Sequence, residues 1–282
     1  MAVWDIEPAV LGGRAHAKEL TQEQGLEGSS SGQAKKNNTI RYVGLPGMTA
    51  PAKYLEQELK NKGVNILTSH TISQIHKVGQ QWQLTSLEQQ DHQSFFDVVI
   101  LAIPAPQVHP LISPHNQSLA AICNINMTPC FALMVQFETS PQLSFNAAFV
   151  NQGPLSWIAF NSHKPERTGP PTWLLHASAQ WSKEHLEKDP QWVQAQMLKA
   201  FEQWFLLDKG LEMDSIANNP FHLKTTSLTL HRWKYANLDN MVAIPNAYAW
   251  DPELQIGLCG DWLNGGKVQG AWLSGHQLAI AI

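Results

Sequence analysis

The chain has 282 residues, of which 43% are hydrophobic and 15% charged, and its formal net charge is -4. This length and composition fit one large domain or two modest domains with a real hydrophobic core. The small net charge and scattered basic residues exclude an extended nucleic-acid surface. No apolar run is long enough to cross a membrane. Three cysteines are too few and too poorly spaced for a disulfide framework or a zinc site. We therefore expect a cytoplasmic protein without a metal, a nucleic-acid partner or a membrane anchor.

The pattern of the first 39 residues does not predict a folded unit. Residues 25–38 are rich in Gly, Ser, Gln and Lys, a composition that cannot bury enough apolar surface and predicts a mobile loop. Ordered structure is expected from Arg41 onward. Thr49 is placed to cap a helix whose apolar face carries Tyr54 and Leu55, and Gly63 is placed to end it.

Strand patterns follow this helix. Residues 64–67 predict a short strand, and residues 72–78 and 82–87 alternate around Gly79 as in a hairpin. Residues 95–102 predict one apolar strand, buried on both faces of a sheet, that ends at Pro104.

The pattern changes from about residue 111 to residue 250. Five strand-like runs are accompanied by a helix over residues 190–205, with Asp189 as its capping residue. Runs of strands with one helix predict an antiparallel sheet backed by helices. From residue 256 the order returns to strand and then helix. The first and last thirds therefore predict one domain that is interrupted by another.

The C-terminal segment is the most informative part of the sequence. An apolar strand runs into Gly260–Asp261, a glycine turn follows, and a helix is predicted to begin near Val268. Such a turn aims unpaired backbone amides and the positive end of the helix dipole at one place, which suits a phosphate or an electron-rich ring edge. Asp261 can accept hydrogen bonds from sugar-like hydroxyls. Together these features are typical of half of a flavin site.

Five landmarks in this order resemble the renalase-like flavin amine-oxidase family, which belongs to the larger group with an FAD domain of the hydroxybenzoate-hydroxylase type. They cover the chain from about residue 40 to its end. The landmarks are Tyr-Val-Gly at 42–44 with Pro-Gly-Met at 46–48, Val-Val-Ile-Leu-Ala-Ile-Pro-Ala-Pro at 98–106, Gly-Pro-Leu-Ser-Trp-Ile-Ala at 153–159, His-Arg-Trp-Lys-Tyr-Ala at 231–236, and the Gly-Asp-Trp to Ser-Gly stretch at 260–275.

The resemblance implies an α/β protein, α+β overall, with two domains. Residues 40–108 and 254–282 would form an incomplete, discontinuous domain for FAD or NAD(P) of the hydroxybenzoate-hydroxylase type. Residues 109–253 would form an inserted antiparallel-sheet substrate domain. Residues 1–39 would lie at the edge of that substrate domain.

The resemblance also implies cofactor-binding residues. Gly260 and Asp261 would hold the ribityl chain or pyrophosphate side of FAD, and the amides of Val268, Gln269 and Gly270 would face the pyrimidine ring. Small residues there would let the backbone approach the ring. The full set of implied cofactor-binding positions is Ile72, Ala102, Pro104, Gly260, Asp261, Gly266, Val268, Gln269 and Gly270.

The strand over residues 228–235 brings His231, Trp233 and Tyr235 to one face. By the resemblance these side chains would shape a substrate pocket. Ordinary strand packing explains the same pattern, and both interpretations stay open. No catalytic residue is identified from the sequence, because no histidine, serine or cysteine lies in a recognisable nucleophile or metal motif.

The dinucleotide-binding fingerprint of the family, G-x-G-x-x-G after a strand, does not occur in the chain. Gly12-Gly13-Arg14 echoes a later family element, but we interpret this as coincidence. The chain therefore resembles a family member that starts late. We expect a flavin oxidoreductase in which FAD takes a hydride from an amine or an NAD(P)H-type substrate and oxygen then yields hydrogen peroxide. The alternative is a catalytically silent remnant, or a module that binds small molecules or other proteins. We expect the chain as given to bind FAD weakly or not at all, because the missing unit would hold the pyrophosphate and the ribose.

Overall fold

The computed structural model describes residues 1–4, 6, 8–11, 40–88, 94–210, 223–239 and 246–282. The chain divides into two compact units. The first contains Met1–Val64 and Cys130–Trp233, and the second contains Asn65–Pro129 and Lys234–Ile282. Residues 40–64 belong to the first unit, and residues 109–129 and 234–253 belong to the second, so the two units do not follow the boundaries expected from the sequence. The assignment of cofactor and substrate roles to domains stays a prediction.

The described elements are numbered in chain order. The strands are β1 (Ala2–Val3), β2 (Ala9–Leu11), β3 (Tyr42–Val43), β4 (Ile72–Val78), β5 (Gln81–Ser86), β6 (Ser94–Phe96), β7 (Val99–Leu101), β8 (Met127–Phe137), β9 (Ala147–Val150), β10 (Leu155–Phe160), β11 (Thr172–Ala177), β12 (Thr225–Leu238), β13 (Ala249–Asp251) and β14 (Ile256–Leu258). The helices are α1 (Ala50–Asn61), α2 (Ala105–Ile112), α3 (Gln117–Ile122), α4 (Ala179–Glu184), α5 (Pro190–Asp208) and α6 (Val268–Ala281).

The first unit is built on a sheet of order β12-β8-β11-β10-β9-β2. Strands β8 to β11 pair antiparallel, and β2 joins the edge parallel to β9. Alternate residues of the strands bury one face against α5, where Phe131, Trp173, Met197 and Phe201 form the core. Each fully buried side chain of this size contributes roughly 1.5–3 kcal/mol by leaving water.

The opposite face of this sheet is covered in part by the N-terminal segment. Strands β1 and β3 pair antiparallel, with Ala2 opposite Val43. Trp4 and Val43 are buried against Ala147 and Ala159 of the sheet. The small alanine side chains leave room for the large indole ring, so the segment can approach the sheet closely.

The second unit contains two small sheets and a separate core. Strand β7 pairs parallel with β14, and β13 continues that sheet antiparallel. Strands β4, β5 and β6 form an antiparallel sheet. The indole of Trp82 is fully buried and its Nε1 donates to the carbonyl oxygen of Leu254 at 2.8 Å. This hydrogen bond satisfies the one polar atom of a large buried ring.

Of the two predicted capping residues, one caps its helix and the other does not. The Asp189 carboxylate accepts hydrogen bonds from the amides of Gln191 and Trp192, which confirms it as the cap of α5. Thr49 precedes α1 in a helical conformation and makes no side-chain capping bond, so that prediction is wrong. None of the side chains of α1 is buried, and Tyr54 and Leu55 are exposed.

Two strand predictions also need correction. Residues 64–67 form no strand. The single strand expected over residues 95–102 is divided into β6 and β7, because β6 pairs with β5 whereas β7 pairs with β14. The chain changes sheet at Asp97, whose carboxylate accepts a hydrogen bond from Gln81 at 2.9 Å. The predicted hairpin is confirmed by β4 and β5, with Gly79 at positive φ in the turn.

The mixed α/β class with antiparallel sheets is confirmed, whereas the hydroxybenzoate-hydroxylase type stays a prediction. The loop predicted at 25–38 and the Gly-Gly-Arg at 12–14 lie outside the described residues. Within the described part of the chain, no helix is long and apolar enough to span a membrane. The same residues contain no group of three or more His, Cys, Asp or Glu side chains that could hold a metal ion.

Candidate functional site

Three of the predicted cofactor residues, Ala102, Gly260 and Asp261, lie where two parallel strands end. Ala102 follows β7 directly, and Cys259 follows β14. The amide of Cys259 donates to the carbonyl oxygen of Leu101 at 3.2 Å, so the two strand ends are held side by side. In open α/β sheets, ligands bind outside the carboxyl ends of the strands. This edge of the sheet is therefore the candidate ligand-binding site.

Asp261 begins a short 3-10 helix, Asp261–Leu263, immediately after the strand end. Its carbonyl oxygen accepts hydrogen bonds from the amides of Asn264 and Gly266, at 2.9 and 2.8 Å. These two bonds close the glycine turn. The Asp261 carboxylate is half-buried and accepts no hydrogen bond from any described residue. It is therefore available to accept bonds from hydroxyl groups of a ligand.

Helix α6 begins directly after this turn with an open end. Lys267 precedes it in an extended conformation, and no side chain caps it. The first amide of the helix region to find an acceptor among the described residues is that of Ala271, which donates to the carbonyl oxygen of Lys267. Val268 is 91% exposed. The amides of Val268 and Gln269, both exposed residues, therefore lie at the uncapped positive end of the helix dipole, whereas Gly270 is buried.

The glycines of this turn have structural roles of their own. Gly266 adopts positive φ, which few other residues tolerate. A Cβ at Gly270 would overlap the carbonyl oxygen of Asn264, so the turn can pack on the helix only if this residue lacks a side chain. A Cβ at Gly260 would lie 2.5 Å from the indole nitrogen of Trp262. The tight contacts at Gly260 and Gly270 are therefore with the protein itself, and a closer approach of the backbone to a flavin stays a prediction.

A cleft of about 630 Å³ opens beside the end of β7. Ile72, Ala102 and Tyr235, three of the positions predicted from sequence, line it together. Its walls are largely apolar, with Ile100 and Ile103 on one side. A second cavity of about 760 Å³ shares Ile72 and is lined also by Phe95 and Phe96. Both volumes lie in the range of small-molecule sites.

Polar groups of this cleft were not predicted. His70, Thr71, Ser73 and Gln107 line it and come from segments without a motif that could have revealed them. Thr71 is held in place by Glu88, whose carboxylate accepts from both the amide and the hydroxyl of Thr71 at 2.6 Å. These hydrogen bonds lower the pKa of Glu88 to about 2. A charged carboxylate thus fixes the backbone next to Ile72.

The remaining predicted residues lie in different parts of the structure, some in the first unit and some in the second. Pro104 is half-buried at the start of α2, where its carbonyl oxygen accepts from the amides of Gln107 and Val108. His231 and Trp233 belong to the first unit, where their ring centroids are 4.1 Å apart, and both are exposed. Only Tyr235, of the three pocket residues predicted on β12, lines the cleft of the second unit. The binding roles of all these residues stay predictions.

A family model named "Flavin containing amine oxidoreductase" matches residues 9–282, almost the whole chain. The chain belongs to the flavin-containing amine oxidoreductase family. This confirms the flavin amine-oxidase resemblance at the level of that family and implies a flavin as the cofactor. The narrower renalase-like assignment is not decided by the match.

Two solved structures share the fold. One is a protein assigned as a protoporphyrinogen oxidase from Exiguobacterium sp. 255-15, with a TM-score of 0.62 and 13% identity over 83% of this chain and 50% of that one. The other is cyclohexylamine oxidase from Brevibacterium oxydans IH-35A, with a TM-score of 0.58 and 13% identity over 83% and 52%. The chain thus spans about half the length of these relatives. At this identity the likeness concerns the fold alone.

The residues at the strand ends supply hydrogen-bond acceptors and donors of the types that a flavin nucleotide needs. An available carboxylate matches the hydroxyls of a ribityl or ribose group, and the open amides of α6 match an electron-rich ring edge or a phosphate. Both lie on one turn closed by the hydrogen bond between Gly266 and Asp261. The fit concerns the chemistry of the donors and acceptors that this chain supplies.

Proposed function

We propose that this chain contributes to the FAD site of a renalase-like oxidoreductase whose substrate is an amine or an NAD(P)H-type dihydronicotinamide. Bound flavin would accept a hydride from the substrate and pass the electrons to oxygen, giving hydrogen peroxide. The observation that carries the proposal is the pairing of an available Asp261 carboxylate with the open N-terminus of α6, in a chain of the flavin amine oxidoreductase family.

Asp261 would accept hydrogen bonds from sugar hydroxyls and so fix the orientation of the cofactor. Hydrogen bonds to a charged acceptor contribute about 1.5–3 kcal/mol each. The amides of Val268, Gln269 and Gly270 would face the pyrimidine ring. A helix N-terminus at that place favours negative charge, and reduced flavin carries such charge at this edge of its ring.

The neighbouring cleft would exclude water from the ligand. Ile72 would contact the adenine, and Ala102 with Pro104 would border the cofactor where the chain leaves β7. Tyr235 would face the substrate. The substrate role predicted from the sequence for His231 and Trp233 stays a prediction. Apolar walls strengthen the electrostatic interactions made inside a cleft, because water no longer screens them.

A module without catalysis is the second candidate. It is favoured by the lack of a G-x-G-x-x-G turn in the given sequence. The glycine fingerprint normally holds the pyrophosphate and the ribose. A chain that cannot hold these groups would bind a small molecule or a protein without oxidising a substrate.

Titration of FAD into the full chain, followed by the quenching of flavin fluorescence, separates the two candidates. We expect weak, saturable binding. Asp261→Asn keeps the size of the side chain and removes its charge, and we expect it to raise the Kd roughly tenfold. Glu253→Gln is the matched control, because Glu253 is an exposed carboxylate of the same unit and its side chain makes no hydrogen bond to a described residue.

Equal weakening by both substitutions would contradict the role given to Asp261. An absence of saturable FAD binding at any accessible concentration would favour the non-catalytic module. With FAD in excess, hydrogen peroxide released on addition of benzylamine or of NADH distinguishes the two substrate classes.

A further inference from the structure

A cavity of about 570 Å³ lies in the first unit, on the face of the large sheet opposite α5. Phe149, Trp157 and His176 line it from the adjacent strands β9, β10 and β11. These three residues are register partners across the strands, so their rings form a row on one face of the sheet. The cavity lies within the first unit, and a ligand bound there does not depend on the proposed flavin chemistry.

Two of these rings form an aromatic floor. The ring centroids of Phe149 and Trp157 are 4.7 Å apart, and the ring planes are inclined by 58°. Both side chains are half-buried, so part of each ring borders the open space. A flat aromatic ligand gains from packing against such rings beyond the area that it buries, whereas a saturated ring of the same size does not.

The indole of Trp157 also presents a hydrogen-bond donor. Its N–H makes no hydrogen bond to any described residue, and the nitrogen is not sealed from solvent. An indole N–H can only donate. A ligand atom beside it is therefore favoured if it is an acceptor, such as a carbonyl oxygen.

The imidazole of His176 can serve the same ligand edge. Burial, with a smaller contribution from the ammonium of Lys164, lowers the pKa of His176, so the ring is neutral at neutral pH. The ring nitrogens of His176 make no hydrogen bond to any described residue. A neutral imidazole carries one N–H donor and one acceptor nitrogen. It can therefore donate to a carbonyl oxygen or accept from an amide N–H.

An ionised ligand finds no charge partner among the described lining residues. None of them is a carboxylate. Arg41 lines the cavity, but its guanidinium is engaged by the protein and donates to the carbonyl oxygen of Ile6 at 3.5 Å. Lys164 does not line the cavity, and its ammonium donates to Asn161 and lies over the ring of Trp4. Burial of an ion without a partner costs far more than burial of a neutral group, so an uncharged ligand is favoured.

We propose that this cavity binds an uncharged, planar aromatic compound with a carbonyl oxygen at its edge, as in an aromatic ketone or amide. The ring of the ligand packs against Phe149 and the inclined indole of Trp157. The carbonyl oxygen accepts hydrogen bonds from the indole N–H of Trp157 and from the imidazole of His176. Flat rings and neutral donors together define this class of ligand.

Isothermal titration of the full chain with 2-naphthamide tests the proposal. Three matched probes each change one property: 2-naphthoate is an anion, 2-(aminomethyl)naphthalene is a cation, and decahydronaphthalene-2-carboxamide keeps the amide on a saturated frame. We expect saturable binding of 2-naphthamide. Each of the other three probes should bind at least about fivefold more weakly.

Two variants separate hydrogen bonding from packing. Trp157→Phe and His176→Phe each keep a flat ring and remove the ring nitrogens, so each should raise the Kd of 2-naphthamide by roughly three- to tenfold. Trp192→Phe is the matched control, because Trp192 is a 38% exposed tryptophan of the same unit that does not line the cavity. It should bind 2-naphthamide as the unaltered chain does.

Urea denaturation shows whether each variant unfolds cooperatively. If Trp157→Phe does not, His176→Phe and the comparison of the four probes on the unaltered chain carry the test. Three results would overturn the site. These are an absence of saturable 2-naphthamide binding to the unaltered chain, an equal loss of affinity in cavity and control variants, and binding of the acid, the amine or the saturated amide as tight as that of 2-naphthamide.

Discussion

The indole nitrogen of Trp262 donates a hydrogen bond to the carbonyl oxygen of Ile103 at 3.0 Å. It ties the turn that follows β14 to the segment that follows β7, and so fixes the edge at which the candidate flavin site lies. Trp262 is 2% exposed, so its ring also fills the space between the two strand ends. The position of Asp261, its neighbour in the chain, depends on this contact.

Trp262→Phe should lower the free energy of unfolding by about 1–3 kcal/mol, because the carbonyl oxygen of Ile103 loses its partner and a small cavity remains. Urea denaturation followed by circular dichroism measures the change. Trp272→Phe is the control: Trp272 belongs to the same unit and is 59% exposed, so its replacement should stay within about 0.5 kcal/mol. Equal losses in both variants would show that the hydrogen bond to Ile103 has no special role.

Two glycines of α6 should respond to alanine in opposite directions. Gly270→Ala would drive a methyl group into the carbonyl oxygen of Asn264, so we expect a loss of at least about 1–3 kcal/mol. Gly275→Ala meets nothing within 4 Å and lies inside the helix. We expect a gain of up to about 1 kcal/mol there, from the higher helix propensity of alanine. Thermal unfolding of the pair measures both, and a stabilising Gly270→Ala would contradict the packing described for the turn.

Ser274 joins the strand end to the segment before β13. Its hydroxyl accepts from the amide of Gly260 at 2.9 Å and donates to the carbonyl oxygen of Ala247 at 2.5 Å, and the residue is fully buried. Ser274→Ala leaves both backbone groups without this partner, so the free energy of unfolding should fall by about 1–3 kcal/mol. Ser274→Cys has a weaker donor of similar shape, so its free energy of unfolding should lie between that of the unaltered chain and that of Ser274→Ala. Urea midpoints that do not follow this order would exclude the bridging role.

Lys164 should make stability depend on pH. Burial, with a contribution from Arg167, lowers its pKa from 10.5 to about 8. The unfolded chain therefore binds more protons than the folded chain between these values, and stability rises with pH through this window. Below about pH 8 the full penalty applies, on the order of 3 kcal/mol.

Lys164→Met removes that titration. The variant should be more stable than the unaltered chain at pH 7, and the difference should narrow as the pH rises from 8 to 10.5. Urea denaturation at a series of pH values checks this, and Lys183→Met serves as the control because Lys183 is exposed and lies in the same unit. A constant difference across the series would contradict the buried charge.

Local signals in the sequence were sufficient for elements that depend on near neighbours. Asp189 before Pro190 predicted the start of α5, and Gly79 between two alternating runs predicted the β4–β5 hairpin. The mostly apolar composition of residues 95–102 predicts one strand. Its division depends on β14, a partner about 150 residues away in the sequence, and composition does not encode such pairing.

The same distinction applies to the candidate site. Asp261 and the start of α6 are adjacent in the sequence, so their placement on one turn followed from the glycine pattern. The cleft combines Ile72, Ala102 and Tyr235 with His70 and Gln107, which come from separate segments. The polar residues His70 and Gln107 belong to no recognisable sequence motif, and they come together only when the unit is folded.

The three thiols of the chain have a chemical consequence for a protein proposed to release peroxide. Burial raises the pKa of Cys123 and of Cys130 to about 11, and it also raises that of Cys259. Peroxide attacks the thiolate and not the thiol, and at pH 7 roughly one Cys123 in ten thousand would be ionised. Sulfenic acid should therefore form slowly at these positions.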